Sequence, residues 1–240
     1  KSIEKTGIKY DALVVDEGQD INRKQWDSLL WSLHDPYKNP VYIFHDNNQK
    51  VYNKGELDLP DFPKYPHILK KNYRNSQDIF ATQKSYYKGE STTSEGPKGE
   101  SVSYFIAPTR EIAEKKIINL INKYTINEGM DKKQIAILTG NKLGTSSSIL
   151  GNYLTKDLNG KKKDNLYFVK AEKNEEDEIV FDSIKRFKGL EREIVILFDL
   201  EDALENPEEM YIGLSRPKLI LDIIGTEKNI EILNKISEDG

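Results

Sequence analysis

Residues 13–20 read LVVDEGQD, an apolar run that ends directly in Asp16, Glu17, Gln19 and Asp20. Carboxylates at a core edge are costly unless something positive meets them. The chemistry this pattern suits is phosphoryl transfer. The carboxyl end of a buried strand opens into the crevice where α/β proteins bind ligands. There Asp16 would hold Mg2+, largely through water, because this ion keeps several of its waters. Glu17 would orient or deprotonate the water that attacks the γ-phosphate of ATP. The plain alternative is a strand followed by an acidic helix start, which the helix dipole favours. DEGQD alone does not separate the two, because short patterns recur by chance.

The elements that must position such residues follow from periodicity. DALVVD is short, apolar and rich in β-branched residues, as expected of a buried parallel strand over Ala12–Val15. In NRKQWDSLLWSL, Trp26, Leu29, Leu30 and Leu33 share a helical face. PVYIFHD supplies a second strand over Tyr42–Phe44. KGELDLPDFPKYP then breaks periodicity with prolines and a glycine, the mark of a linker. It divides 1–64 from 65–240. Beyond it, HILKKNYRNSQDIFATQKSYY is expected as a strand and then a helix, and GESTTSEGPKGE as a mobile loop. SVSYFIA, QIAILTG, NLYFVK, IVFDSI, EIVILFDL and KLILDIIG read as strands. Helices are expected in TREIAEKKIINLINKY with Thr109 as N-cap, in SSSILGNYLTKDL, in NPEEMYIGLS with Pro207 in its first turn, and in EKNIEILNKI. Strands alternating with helices imply an α/β fold with mostly parallel sheets. The N-terminal piece, with two strands and a helix, is too small to cover a parallel sheet on both faces. It is expected to be the end of a larger domain.

Five further stretches follow in order: FHDNNQKVY, LKKNYRNSQDI, IAILTGNKLGTSSSILGNYL, DSIKRFKGLEREIVIL and MYIGLSRPKLIL. Together with VVDEGQD, this ordered set resembles the UvrD/Rep-type superfamily 1 helicases over nearly the whole chain. VVDEGQD is similar to the family's Walker B element, HDNNQKVY to its third motif and NYRNS to its fourth. IAILT is similar to the follower of that fourth motif, FKGLE to the fifth and YIGLSRPK to the sixth. The resemblance implies a RecA-like (P-loop NTPase-type) second domain over 65–240. It also implies a remnant of a first RecA-like domain over 1–64. It implies coupling of ATP hydrolysis to movement on single-stranded DNA, with RNA left open because backbone-tracking motifs read phosphate.

Residue by residue, the resemblance implies that Gln49 senses the γ-phosphate and couples it to the DNA-binding surface. Arg74 and Arg216 would reach the γ-phosphate as arginine fingers. Glu191, with Gly189 in the same motif, would contact the ribose or phosphate region. Gln19 and Asp20 would link Walker B to neighbouring motifs. Plainer roles stand beside these. Arg74 beside Tyr73 suits a surface residue stacked on a ring, Arg216 suits a helix end meeting its dipole, and Lys188-Gly189 suits an ordinary turn.

Three departures stand out. No G-x-x-x-x-G-K-[ST] phosphate loop occurs in the 240 residues. The expectation is therefore a C-terminal portion of a longer helicase, inactive by itself, whose missing first-domain part is a required partner. A natural truncation that lost its ATPase is the alternative. In the third motif, Tyr52 remains as an aromatic DNA-binding candidate, but NKGE follows where the family has a second ring. Lys185 stands where the family has histidine; it suits a DNA phosphate contact or plain exposure. Between the fourth-motif follower and the fifth motif, only a short insertion replaces the extra domain of long members.

Composition sets the outer limits. The chain is 37% hydrophobic and 32% charged, with net charge −4, which argues mildly against an indiscriminate polyanion binder. Without cysteine there is no disulfide or thiolate metal site, and three histidines disfavour a histidine-rich one. No apolar run reaches the ~20 residues that span a bilayer, so a cytoplasmic protein without membrane partner is expected. The competing function class is a catalytically inactive helicase-like module that binds a protein or nucleic acid. Retention of Asp16, Glu17, Gln49, Arg74 and Arg216 favours the enzyme.

Overall fold

The computed structural model describes residues 7–49, 60, 67–98, 102–141, 168–173 and 178–239. The chain divides into two compact units, 1–68 and 69–240. The linker boundary expected after residue 64 lies outside the described residues, as do Tyr52 and the helix expected over SSSILGNYLTKDL.

In the first unit, β1 (Leu13–Val15) and β2 (Val41–Ile43) pair in parallel. The helix α1 (Arg23–Leu30) forms the crossover. Its start is fixed by a reciprocal cap, in which Gln25 N donates to Asn22 Oδ1 and Asn22 N donates to Gln25 Oε1. Trp26, Leu33 and Val15 are buried, whereas Val14 and Tyr42, opposite each other in register, are 66% and 59% exposed. One face of this two-stranded sheet is therefore largely open, as its small size implies.

The second unit begins with β3 (Lys71–Asn72), α2 (Gln77–Lys84) and β4 (Thr93–Ser94). Then come β5 (Ser103–Ile106), α3 (Arg110–Asn122), β6 (Ile135–Thr139), β7 (Phe168–Val169) and β8 (Ile179–Ser183). Last are β9 (Arg192–Phe198), α4 (Glu201–Leu204), α5 (Pro207–Ser215), β10 (Pro217–Gly225) and α6 (Glu227–Asp239). Six strands form one sheet in the order β5-β10-β9-β6-β8-β7, and each pairing is parallel. The α/β class read from the sequence is the class found.

The Ile, Val and Leu runs make this sheet because both its faces are buried. Ile135, Ile137, Ile194, Ile196 and Phe198 meet Ile117, Ile121 and Tyr124 of the α3 side. Val195, Leu197, Met210, Ile212 and Leu214 are equally inaccessible. Thr109 caps α3 by accepting from Ile112 N at 3.4 Å, and Asn206 caps α5 by accepting from Glu209 N at 3.3 Å. Among the described residues, no helix is long and apolar enough to cross a membrane.

Two expectations are corrected. The strand expected before the helix in HILKKNYRNSQDIFATQKSYY is only two residues long, Lys71–Asn72. The polar stretch 89–100 is not merely a loop, because Thr93 and Ser94 pair with those two residues. A Cβ at Gly96 would lie 1.9 Å from the carbonyl oxygen of Asn75, so close backbone approach selects glycine there.

Candidate functional site

In the first unit, the expected carboxylates follow the carboxyl end of β1. Asp16 is exposed, and its Oδ1 accepts from Glu17 N at 2.9 Å. Glu17 has φ 53 and ψ 40, a left-handed conformation that costs a non-glycine residue roughly 1–3 kcal/mol. Its neighbours hold it there. Gly18 N donates to Phe44 O at 2.9 Å, and a Cβ on Gly18 would sit 2.6 Å from Ile43 Cγ2. Gln19 Nε2 donates to Glu17 Oε2.

Gln19 is buried, and its Oε1 accepts from Asp46 N at 3.0 Å. The Asp46 carboxylate then accepts from Asn48 N at 2.9 Å and from Gln49 Nε2 at 3.0 Å. A hydrogen-bonded row thus runs from Glu17 through Gln19 and Asp46 to Gln49. Its ends lie beyond the carboxyl ends of two neighbouring parallel strands. Among the described residues, no three His, Cys, Asp or Glu side chains converge as a metal cage. One exposed aspartate still fits Mg2+, which takes one or two carboxylates and fills its shell with water and phosphate oxygens.

In the second unit, three of the expected residues come together where β9 and β10 begin. Glu191 immediately precedes β9, Arg216 immediately precedes β10, and Arg74 lies just after β3. Arg74 Nε is 3.0 Å from Glu191 Oε2, and Lys218 Nζ is 2.7 Å from Glu191 Oε1. Arg216 is 2% exposed. Its Nε donates to Ile212 O at 3.1 Å, its Nη2 to Ser215 Oγ at 2.8 Å and its Nη1 to Leu190 O at 3.3 Å. Partial burial pushes the Glu191 carboxyl up. The Lys218 hydrogen bond and the charges of Arg74, Lys218 and Arg216 outweigh it, so the net direction is down. Arg74, Lys218 and Arg216 meet two carboxylates here, Glu191 and, 3.9 Å from Lys218 Nζ, Glu193, so the cations are in excess by one, an arrangement suited to an oxyanion.

Gly189 has φ +82 in the turn that leads to Glu191. No atom lies within 4 Å of an added Cβ, so the backbone angle, not crowding, calls for glycine. Lys185 is part-exposed and ion-paired. Its Nζ is 2.9 Å from Glu209 Oε2, and Glu209 is 2% exposed. Lys185→Ala should therefore destabilise the protein by about 1–2 kcal/mol. That is less than the ~3–5 kcal/mol of a fully buried pair, because the lysine side chain is 39% exposed. Urea unfolding checks this, and Lys185→Ala in a Glu209→Gln background should cost much less.

A separate crevice of about 380 Å3 opens at the carboxyl ends of β5, β6, β9 and β10, lined in part by Arg110, Asn141, Asp199 and Asn229. None of the expected site residues lines it. Three residues in contact with the expected ones escaped the sequence reading: Asp46, Asn75 and Lys218. All three lie inside quoted motifs, Asp46 in HDNNQKVY, Asn75 in NYRNS and Lys218 in YIGLSRPK, so polar character in a motif was the available signal.

No family model matches the chain, and no curated protein matches it. Among solved structures, the C-terminal domain of a possible DNA helicase from Lactobacillus plantarum WCFS1 is similar, with TM-score 0.47 and 15% identity. The match covers 64% of this chain and 87% of that one. A likeness this slight carries no activity across.

Proposed function

We propose that this chain is the C-terminal portion of an ATP-dependent, UvrD/Rep-type superfamily 1 helicase that moves on single-stranded DNA in the cytoplasm. Asp16 is the Mg2+ ligand and Glu17 the group that positions and deprotonates the attacking water. Gln49 senses the γ-phosphate and, through Asp46 and Gln19, shares a hydrogen-bonded row with Glu17. Arg74 and Arg216 neutralise charge on the transferring phosphoryl group, and Glu191 with Gly189 meets the nucleotide beside them. Mg2+, held by Asp16, would supply positive charge against the phosphates. Tyr52 and Lys185 are the DNA contacts, although Lys185 must then share its amine with Glu209.

The observation that carries this reading is the meeting of Arg74, Glu191 and Arg216. They are far apart in sequence yet lie at one edge of the sheet. One observation favours the alternative, a catalytically inactive helicase-like module. The Arg216 guanidinium is buried and already donates to two carbonyls and a hydroxyl, as a helix end does. Mg2+-dependent ATP hydrolysis by the full-length protein separates them. Turnover that rises on adding single-stranded DNA is expected. Absence of turnover with and without DNA would leave the inactive module.

A further inference from the structure

We infer that Asn75 is a positioning residue that locks Arg74 and Arg216 into one frame, an inference that rests on the nucleotide reading of those arginines. Asn75 is 1% exposed. Its Nδ2 donates to Ser215 O at 3.1 Å and to Pro217 O at 2.6 Å, the carbonyls on either side of Arg216. Its Oδ1 accepts from Asn72 Nδ2 at 2.9 Å and from Gln83 Nε2 at 3.2 Å. An asparagine side chain offers two N–H donors and an oxygen with two lone pairs. All four are used, and two carbonyl targets leave only one sensible orientation for the amide.

The same network holds the other arginine. Asn72 Oδ1 accepts from Arg74 N at 3.0 Å and from Asn75 N at 3.1 Å. Ser76 N donates to Lys218 O at 2.8 Å. The turn that carries Arg74 is thereby tied, through Asn75 and Ser76, to the backbone on both sides of Arg216. Aspartate lacks the donors, serine lacks the reach, and leucine has neither donor nor acceptor. Displacing a positioned group by about 1 Å costs on the order of 10²-fold in rate, and loosening this amide releases both arginines at once.

The test is a double-mutant cycle on the full-length protein, read as Mg2+-ATPase kinetics with thermal melting alongside. Asn75→Ala should lower kcat by about 10²-fold and leave KM for ATP nearly unchanged. In an Arg216→Ala background it should lower kcat by clearly less than in the wild type, because one of the two groups it positions is already gone. Gln83→Met guards against a folding defect. The Gln83 Oε1 has no hydrogen-bond partner among the described residues, so losing the amide costs little stability. It still removes one anchor of Asn75, and kcat should fall in the same direction by less. If Asn75→Ala and Gln83→Met keep wild-type kcat, the positioning role is wrong. It is equally wrong if the Asn75 and Arg216 losses multiply, which is the mark of a merely structural amide. If Arg216→Ala itself keeps wild-type turnover, the arginine reading fails and the positioning role falls with it.

Discussion

Glu17→Gln in the full-length protein should lower ATP turnover by about 10²–10⁴-fold, the range that general acid–base catalysis supplies, while MgATP still binds. The substitution is nearly isosteric, and the glutamine oxygen can go on accepting from Gln19 Nε2. Asp16, the proposed Mg2+ ligand, is untouched, so the metal and phosphates keep their protein contact. What disappears is the negative charge that orients water and takes its proton. The local backbone adds a reason to look here. Glu17 is one of two described non-glycine residues with positive φ. Strain of this kind persists only where the surroundings over-determine it, and Gly18, Gln19 and Phe44 do so here. Single-turnover hydrolysis set beside a nucleotide titration separates chemistry from binding. Hydrolysis at the wild-type rate would reduce Glu17 to the acidic start of a helical turn.

The parallel sheet was legible because its strands are written in one kind of residue. Expected strands at Ile135–Leu138, Ile194–Phe198 and Leu219–Ile223 appear as Ile135–Thr139, Arg192–Phe198 and Pro217–Gly225. Aliphatic side chains buried on both faces leave an unbroken apolar run. The strand ends were less legible, because Arg192 and Pro217 are brought into register by their neighbours and not by hydropathy. The short ladder of β3 and β4 had no such mark. Its residues are Lys, Asn, Thr and Ser, and it stands on backbone pairing beside the Asn75 turn.

The same contrast holds within the site. Asp16, Glu17, Gln49, Arg74, Glu191 and Arg216 could be picked out by type and order. Their supports could not. Asn75 meets carbonyls 140 and 142 positions away, and Gln19 meets the Asp46 amide 27 positions away. Nothing in NYRNS separates the asparagine that clamps from one that faces water. Lys185 was read as a phosphate contact or an exposed residue. Only its distance to buried Glu209 shows that its charge is already engaged.

Alanine at Arg74 or Arg216 should lower turnover about 10³-fold or more, the scale for losing an arginine finger. The two substitutions should differ in everything else. Arg74 is half-exposed, and its ion pair with Glu191 is the kind whose removal costs about 0–1 kcal/mol. Arg74→Ala should therefore leave the melting temperature almost unmoved while turnover collapses. Arg216 is buried, and its loss takes a donor from the carbonyls of Leu190 and Ile212 and from the Ser215 hydroxyl, of which the last two keep the bond that Ser215 Oγ donates to Ile212 O at 2.9 Å. Arg216→Ala should cost roughly 2–3 kcal/mol of stability as well. Lysine should rescue poorly at both positions, because it keeps the charge and loses the planar, multi-donor fork. At Arg216 a single ammonium cannot serve Ile212, Ser215 and Leu190 together. A stacked surface residue at 74 and a simple helix end at 216 give another pattern. Turnover per folded molecule would then stay at the wild-type level in both variants, and only the Arg216 variant would melt early. Measuring kcat and unfolding free energy on the same preparations tells these apart. Arg74 is the sharper test, since in that variant stability offers no other explanation for lost turnover.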